Sequence, residues 1–85
     1  MATPAEKFNV IVTSPSAVIW KGMANSVSSK NSAGPFDILA GHENFITMVE
    51  KASIVIRNGT QEKEFSYENA VLSVLSGNLT IYADI

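Results

Sequence analysis

Short apolar runs separated by turn-forming residues fill the chain, and their spacing is that of β-strands. In the segment Phe8–Thr13, for example, Phe8, Val10 and Val12 fall on one face, as the two-residue period of a strand requires. No segment keeps a helical period over three turns. The pattern predicts strands at Phe8–Thr13, Ala17–Lys21, Met23–Ser28, Phe36–Leu39, Phe45–Val49, Ser53–Arg57, Glu62–Tyr67, Val71–Val74 and Leu79–Ala83.

Gly, Asn, Ser and Pro mark the predicted turns. Asn58-Gly59 lies between two predicted strands and predicts a hairpin, because both residue types tolerate a positive φ. The sequence Ser76-Gly77-Asn78 predicts a second hairpin for the same reason. Gly22 is expected to end or kink the strand that contains it, and residues 28–35, which are rich in turn formers, are expected to form a mobile loop.

Short antiparallel strands joined by tight turns are typical of an all-β sandwich or barrel. The 85 residues fit one domain, residues 1–85, because so short a chain cannot divide its buried surface between two cores. No apolar run approaches the roughly 20 residues that a membrane-spanning helix needs. The polar start Met1–Lys7 lacks the apolar stretch of a signal peptide, so we expect no export by that route.

Composition and motifs exclude several classes of function. The net charge is -2 and the six Lys and Arg residues are scattered, so the chain lacks the basic patch of a nucleic-acid-binding protein. It has no cysteine, no G-x-G-x-x-G or P-loop motif, and one histidine, His42. An enzyme built around His42 would need a nucleophile positioned beside it. We expect His42 to be a loop residue at a surface or contact, with no cofactor and no metal.

The segment Gly34–Phe45, with Ile38-Leu39 followed by Ala40-Gly41-His42, resembles the signature of F-type ATP synthase epsilon subunits. Phe8–Pro15 is similar to the first strand of that family, and Ser76–Asp84 is similar to its last strand. The resemblance covers nearly the whole chain in the correct order. Two departures are Ala40, where the family usually has Pro, and Pro35, where it often has an acidic residue.

The resemblance implies a flattened β-sandwich of about eight to ten short strands. It also implies a non-catalytic subunit of the central stalk, or rotor, that docks on the gamma subunit and the c-ring and couples proton flow to ATP synthesis. Such a subunit is peripheral, at the cytoplasmic face of the bacterial inner membrane. Many family members continue into a C-terminal helical hairpin that can restrain ATP hydrolysis. The residues up to Ile85 lack it, and we expect them not to provide that restraint.

Site residues follow from the resemblance by motif position. The expected contacts with the gamma subunit are Gly41, His42, Phe45 and Leu72. The expected contacts with the c-ring are Ser32, Ala33, Gly34, Pro35 and Asp37.

A second hypothesis is a free-standing β-sandwich that binds a small molecule or a glycan. Trp20 or Tyr82 would then be the stacking platform for the ligand. A single Trp at the end of an apolar strand more often fills a core. The sequence alone leaves this alternative open.

Overall fold

A computed structural model describes residues 6–85. Residues 1–5, which include most of the polar start, lie outside the described residues, as do the expectations that concern them. The described chain is all-β, which confirms the predicted class, and it contains no helix able to cross a membrane. Its strands are β1 (Phe8–Thr13), β2 (Val18–Ala24), β3 (Ser26–Asn31), β4 (Gly34–Leu39), β5 (Phe45–Asn58), β6 (Gln61–Leu75) and β7 (Asn78–Ala83).

The strands form one sheet in the order β2-β1-β7-β6-β5-β3-β4. All neighbours are antiparallel except β1 and β7, which run parallel. The longest strands, β5 and β6, have 14 and 15 residues and pair from Phe45↔Val74 to Asn58↔Gln61. The prediction of two short strands in place of each was therefore wrong.

A bend in β5 and β6 folds the sheet into two layers. In β5 the buried positions step by three residues at the bend, from Val49 to Ala52, and Lys51 between them has φ of 51°. In β6 the inward positions shift in the same way between Tyr67 and Ala70. Layer I contains β2, β1, β7, residues 69–75 and residues 45–50. Layer II contains β4, β3, residues 52–58 and residues 61–67. The break in alternation at the bend looks, in the sequence, like the end of a strand.

The core lies between the layers and is made of aliphatic side chains. Burial of one such side chain contributes roughly 1.5–3 kcal/mol. No polar or charged side chain is buried within residues 6–85. The largest fully buried side chains are Ile38, Ile54, Leu72, Leu79, Ile81, Val10, Val12, Val27 and Val49.

Gly22 was predicted to end or kink its strand. It lies inside β2 and pairs with Val10, so it does not end the strand. A Cβ atom at this position would lie 2.8 Å from the Trp20 ring carbons Cη2 and Cζ2. Gly22 thus leaves room for the indole to lie along its own strand. The strand ends instead at Ala24, and Asn25 turns the chain into β3. There the Asn25 N–H donates to the Arg57 carbonyl oxygen at 2.7 Å.

Residues 28–35 form most of a regular hairpin, so the prediction of a mobile loop was wrong. Ser28 pairs with Asp37 and Asn31 pairs with Gly34, which leaves only Ser32 and Ala33 as the turn. A chain rich in Ser and Asn can form strands here because its backbone groups are paired in a ladder.

Both predicted tight hairpins are present. In the β5–β6 turn only Gly59 has a positive φ, because Asn58 still pairs as the last residue of β5. In the β6–β7 turn Ser76 and Gly77 both have a positive φ, as a type I′ turn requires.

Candidate functional site

Layer I presents an apolar outer surface. Ile46, Met48 and Tyr82 are 71%, 52% and 43% exposed, and Val71 is half-buried among them. The sheet register makes them neighbours, since Val71 pairs with both Met48 and Tyr82. We call Ile46, Met48, Val71 and Tyr82 the apolar face. A cluster of exposed apolar side chains on a small domain indicates an interaction surface.

The apolar face arises because β5 and β6 carry apolar residues on both sides here. Phe45, Thr47 and Val49 point toward the core, so Ile46 and Met48 point outward. A strand whose two faces are both apolar is covered on both sides in most proteins. Sequence reasoning missed Ile46, Met48 and Val71, although the unbroken apolar run at residues 70–72 was a signal of this kind.

Three of the four residues expected to contact gamma lie together at one end of the apolar face. Gly41 and His42 are in the β4–β5 loop, and Phe45 begins β5 immediately before Ile46. The His42 N–H donates to the Leu39 carbonyl oxygen at 3.1 Å. The His42 and Phe45 rings have centroids 5.3 Å apart. These contacts fix the loop next to the apolar face, and the φ of 79° at Gly41 favours glycine there.

Leu72 is separated from that group because its side chain is fully buried in the core. It pairs with Thr47 and Ile81, on the inner side of layer I. The residue beside it that faces outward is Val71. A partner that docks on this part of β6 would contact Val71. Leu72, on the opposite face of the strand, would stay buried in the core.

The residues expected to contact the c-ring divide into two groups. Ser32 and Ala33 are the exposed turn of the β3–β4 hairpin, with Gly34 and Pro35 beside them. These four residues are the hairpin tip. Asp37 lies farther along β4, on the outer face of layer II, and accepts a hydrogen bond from Ser28 Oγ.

Asp37 is part of a polar row across layer II. Arg57 donates from a terminal nitrogen to Ser28 Oγ at 3.0 Å and from Nε to Glu62 Oε2 at 3.0 Å. The row therefore links side chains of β4, β3, β5 and β6 on the solvent side. Exposed interactions of this type contribute about 0–1 kcal/mol each. Their main effect is to keep this outer face polar.

Neither alternative site is supported by the geometry. Trp20 is half-buried, packs against the core and Phe65, and lies over Gly22, so its ring is occupied as a packing group. His42 Nδ1 lies 2.8 Å from the Glu43 carbonyl oxygen, a bond within its own loop. Between residues 6 and 85 no group of three or more acidic or histidine side chains could hold a metal ion.

Comparison with known proteins supports the resemblance. The family model for the beta-sandwich domain of the ATP synthase delta/epsilon chain matches residues 7–85. The ATP synthase epsilon chain of Endomicrobium trichonymphae is 28% identical over 78 residues, which are 92% of this chain and 56% of that relative. The epsilon chain of Clostridium perfringens is 32% identical over 72 residues, which are 85% of this chain and 54% of that relative.

A solved structure shows the same fold. It is a chain from the Tetrahymena thermophila mitochondrial ATP synthase central stalk and c-ring, with a TM-score of 0.74 at 10% identity over 91% of this chain and 63% of that chain. This chain spans little more than half the length of the curated relatives above, at 56% and 54%. Because the family model matches nearly every residue that the structure describes, the chain belongs to the ATP synthase delta/epsilon chain family, as its beta-sandwich domain.

Proposed function

We propose that this chain is the non-catalytic epsilon-subunit domain of the central stalk of an F-type ATP synthase. In this role it binds the gamma subunit and the c-ring, so that rotation driven by proton flow is coupled to ATP synthesis. The apolar face carries the proposal, because it is an exposed surface without a partner on a domain of this family. In this role the domain would be peripheral, at the cytoplasmic face of the bacterial inner membrane.

The gamma subunit would dock on the apolar face and on the adjoining loop. Ile46, Met48 and Tyr82 are exposed, and a partner that covers them gains roughly 25 cal/mol for each Å² of apolar surface removed from water. Gly41, His42 and Phe45 would form one margin of this contact. Val71 takes the place expected for Leu72, because only Val71 reaches the outside.

The c-ring would contact the hairpin tip. Ser32, Ala33 and Pro35 are exposed and uncharged, with Gly34 beside them. Asp37 is already hydrogen-bonded to Ser28, so we assign it to the support of the hairpin. This assignment separates the two docking surfaces, with gamma on layer I and the ring on the end of layer II.

The test for gamma is a pull-down of the gamma subunit with wild type, Ile46→Asp and Thr60→Asp. Ile46→Asp places a charge in the apolar face, whereas Thr60→Asp adds the same charge at the exposed β5–β6 turn. We expect Ile46→Asp to weaken capture at least about tenfold, because a buried unpaired carboxylate is costly. Thr60→Asp should bind like wild type. Circular dichroism checks that each variant is folded.

Ile46 is a better probe than Phe45. The Phe45 ring packs edge-on against Phe36, with centroids 5.9 Å apart, so Phe45→Asp would disturb the fold together with the surface. Equal capture by Ile46→Asp and wild type would contradict the docking face. No capture by wild type would contradict the gamma-binding role itself.

A separate variant tests the ring contact. Ala33→Glu changes the exposed tip and leaves the apolar face intact. We expect it to weaken binding to the c-ring while binding to gamma stays at the wild-type level. Unchanged ring binding would contradict the assignment of the tip.

The hypothesis of a small-molecule or glycan-binding module is not favoured. Its platform residue Trp20 is used in packing, and Tyr82 lies within the apolar face among aliphatic side chains. The family relationship gives it no support either.

A further inference from the structure

The β3–β4 hairpin is joined to β5 by backbone pairing over only part of its length. The pairs run from Ser26↔Arg57 to Ser28↔Val55 and then stop. Beyond this point β5 turns away toward layer I, through the bend at Lys51. The outer half of the hairpin, which carries the tip, therefore depends on side chains for its attachment.

Two side-chain hydrogen bonds make that attachment. Ser29 Oγ donates to the Ser53 carbonyl oxygen at 2.8 Å. Asn31 Nδ2 donates to Thr47 Oγ1 at 3.0 Å, in a partly buried place. The carbonyl oxygen of the same Asn31 side chain accepts the Ala33 N–H at 2.9 Å. Asn31 thus holds the turn with one end and β5 with the other.

Thr47 connects this bond to the other docking surface. It lies between Ile46 and Met48 on β5, and those two side chains point outward in the apolar face. The Asn31–Thr47 bond therefore crosses from layer II to layer I on the inner side of the bend. One hydrogen bond links the strand of the proposed gamma contact to the hairpin of the proposed ring contact.

We propose that Asn31 and Thr47 are positioning residues whose hydrogen bond sets the angle of the hairpin tip relative to the apolar face. This inference rests on the proposed function. A rotor domain that contacts gamma and the ring at once has to hold both surfaces in a fixed relation. The bond provides such a constraint without touching either partner.

An apolar contact accompanies the bond but differs in its effect. Phe36 of β4 packs against Phe45 with centroids 5.9 Å apart. Apolar packing is non-directional, so it holds the hairpin close while it tolerates small rotations. A hydrogen bond prefers a narrow range of distance and angle. The polar bond therefore determines the direction in which the tip points.

The experiment compares Thr47→Val with Thr47→Ser in a complex of the full-length epsilon chain with gamma. Valine keeps the shape of threonine but removes the acceptor, whereas serine keeps the hydroxyl group. We expect Thr47→Val to weaken binding to the c-ring about fivefold, the effect of one lost hydrogen bond. Thr47→Ser should retain ring binding at about the wild-type level, and neither change should alter binding to gamma.

A second variant and a second measurement make the test independent of the partners. Asn31→Ala removes the donor to Thr47 and also the acceptor for the Ala33 N–H. It should weaken ring binding at least as much as Thr47→Val, and Thr47→Val added to it should cause no further loss, as coupled partners do. Amide hydrogen exchange at residues 32–34 should become about fivefold faster in Thr47→Val.

Three results would overturn the inference. One is unchanged exchange at the tip in Thr47→Val. Another is the same ring affinity for Thr47→Val and Thr47→Ser. The third is an equal loss of gamma and ring binding, which indicates general destabilisation. If wild type binds no ring at all, the proposed function fails, while hydrogen exchange still decides whether the bond positions the tip.

Discussion

The two layers of the sheet both have an apolar inner surface, but their outer surfaces differ in polarity. Leu72 in layer I and Ile54 in layer II are both fully buried in one core. On the outside, layer I presents Ile46 and Met48, while layer II presents the polar row through Arg57. The inner faces therefore account for the fold, and the apolar outer face is the surface on which we propose that a partner docks.

This difference also separates stability from recognition. A substitution on an inner face removes packing that both layers use. A substitution on an outer face changes what a partner meets and leaves the core unchanged. The largest effects on unfolding are therefore expected between the layers, and smaller ones at the bend and where Tyr67 lies near Asp84.

The first prediction concerns the shared core. Leu72→Ala and Ile54→Ala should each lower the free energy of unfolding by about 2–5 kcal/mol, because each leaves a cavity in a fully packed interior. Urea denaturation monitored by circular dichroism measures the free energy of unfolding of both variants. A change below about 1 kcal/mol for one variant alone would show that the layers do not share a single core.

The second prediction concerns the contact between Gly22 and Trp20, at the margin of layer I. A methyl group at Gly22 would lie 2.8 Å from the indole, which is itself held by Phe65 of layer II. Gly22→Ala should destabilise the domain by about 1–3 kcal/mol through overpacking. The double variant with Trp20→Leu should show a smaller effect of the alanine. Equal effects in both backgrounds would contradict steric conflict with the indole.

The third prediction concerns the bend that creates the layers. Lys51 is exposed and has φ of 51°, a conformation unfavourable by roughly 1–2 kcal/mol for an L-residue other than glycine. Lys51→Gly relieves this strain but loses about 0.5–1 kcal/mol in chain entropy. The expected net result is a stabilisation of at most about 1 kcal/mol, measured as a higher urea midpoint. Lys51→Ala is the control, since it keeps a Cβ and should give no gain.

The smallest effect is expected at Tyr67, which lies near Asp84 just after the end of β7. Burial, and then the negative charge of Asp84, raises the pKa of Tyr67 above its ordinary value of 10.0. The folded state therefore holds this proton more tightly than the unfolded state. The resulting stability is complete below about pH 10 and is lost as the pH rises through the folded pKa.

Tyr67→Phe should make the loss of stability above about pH 10 less steep. Urea midpoints measured across that range test this expectation, with Tyr82→Phe as the control at an exposed tyrosine. A Tyr67→Phe curve parallel to that of wild type would show that Tyr67 does not contribute.

Local patterns in the sequence were sufficient for the class of fold and for several elements. Phe8–Thr13 forms the predicted strand, with Phe8, Val10 and Val12 buried on one face as their spacing indicated. The turns at Gly59 and Gly77 follow from residue types that accept a positive φ. The Gly41-His42 motif placed the chain in its family, and the same loop lies at the end of the apolar face.

Other features depended on contacts that the sequence does not display. Residues 28–31 form a strand in spite of their turn-like composition, because β4 pairs with them and Ser53 and Thr47 accept their side-chain hydrogen bonds. Leu72 was expected at an interface and lies in the core. In an apolar run such as residues 70–72, period alone cannot say which side faces inward.

Alternation and turn chemistry act within a few residues, so the amino-acid sequence is enough to predict an all-β chain with two tight hairpins and a family motif. The long-range pairing of β5 with β6 was needed to show that four predicted strands are two long ones, folded at Lys51 into two layers. The same folding places Ile46 and Met48, rather than Leu72, on the outside. Each layer buries one face against the other, and the bend in the sheet fixes which face stays outside.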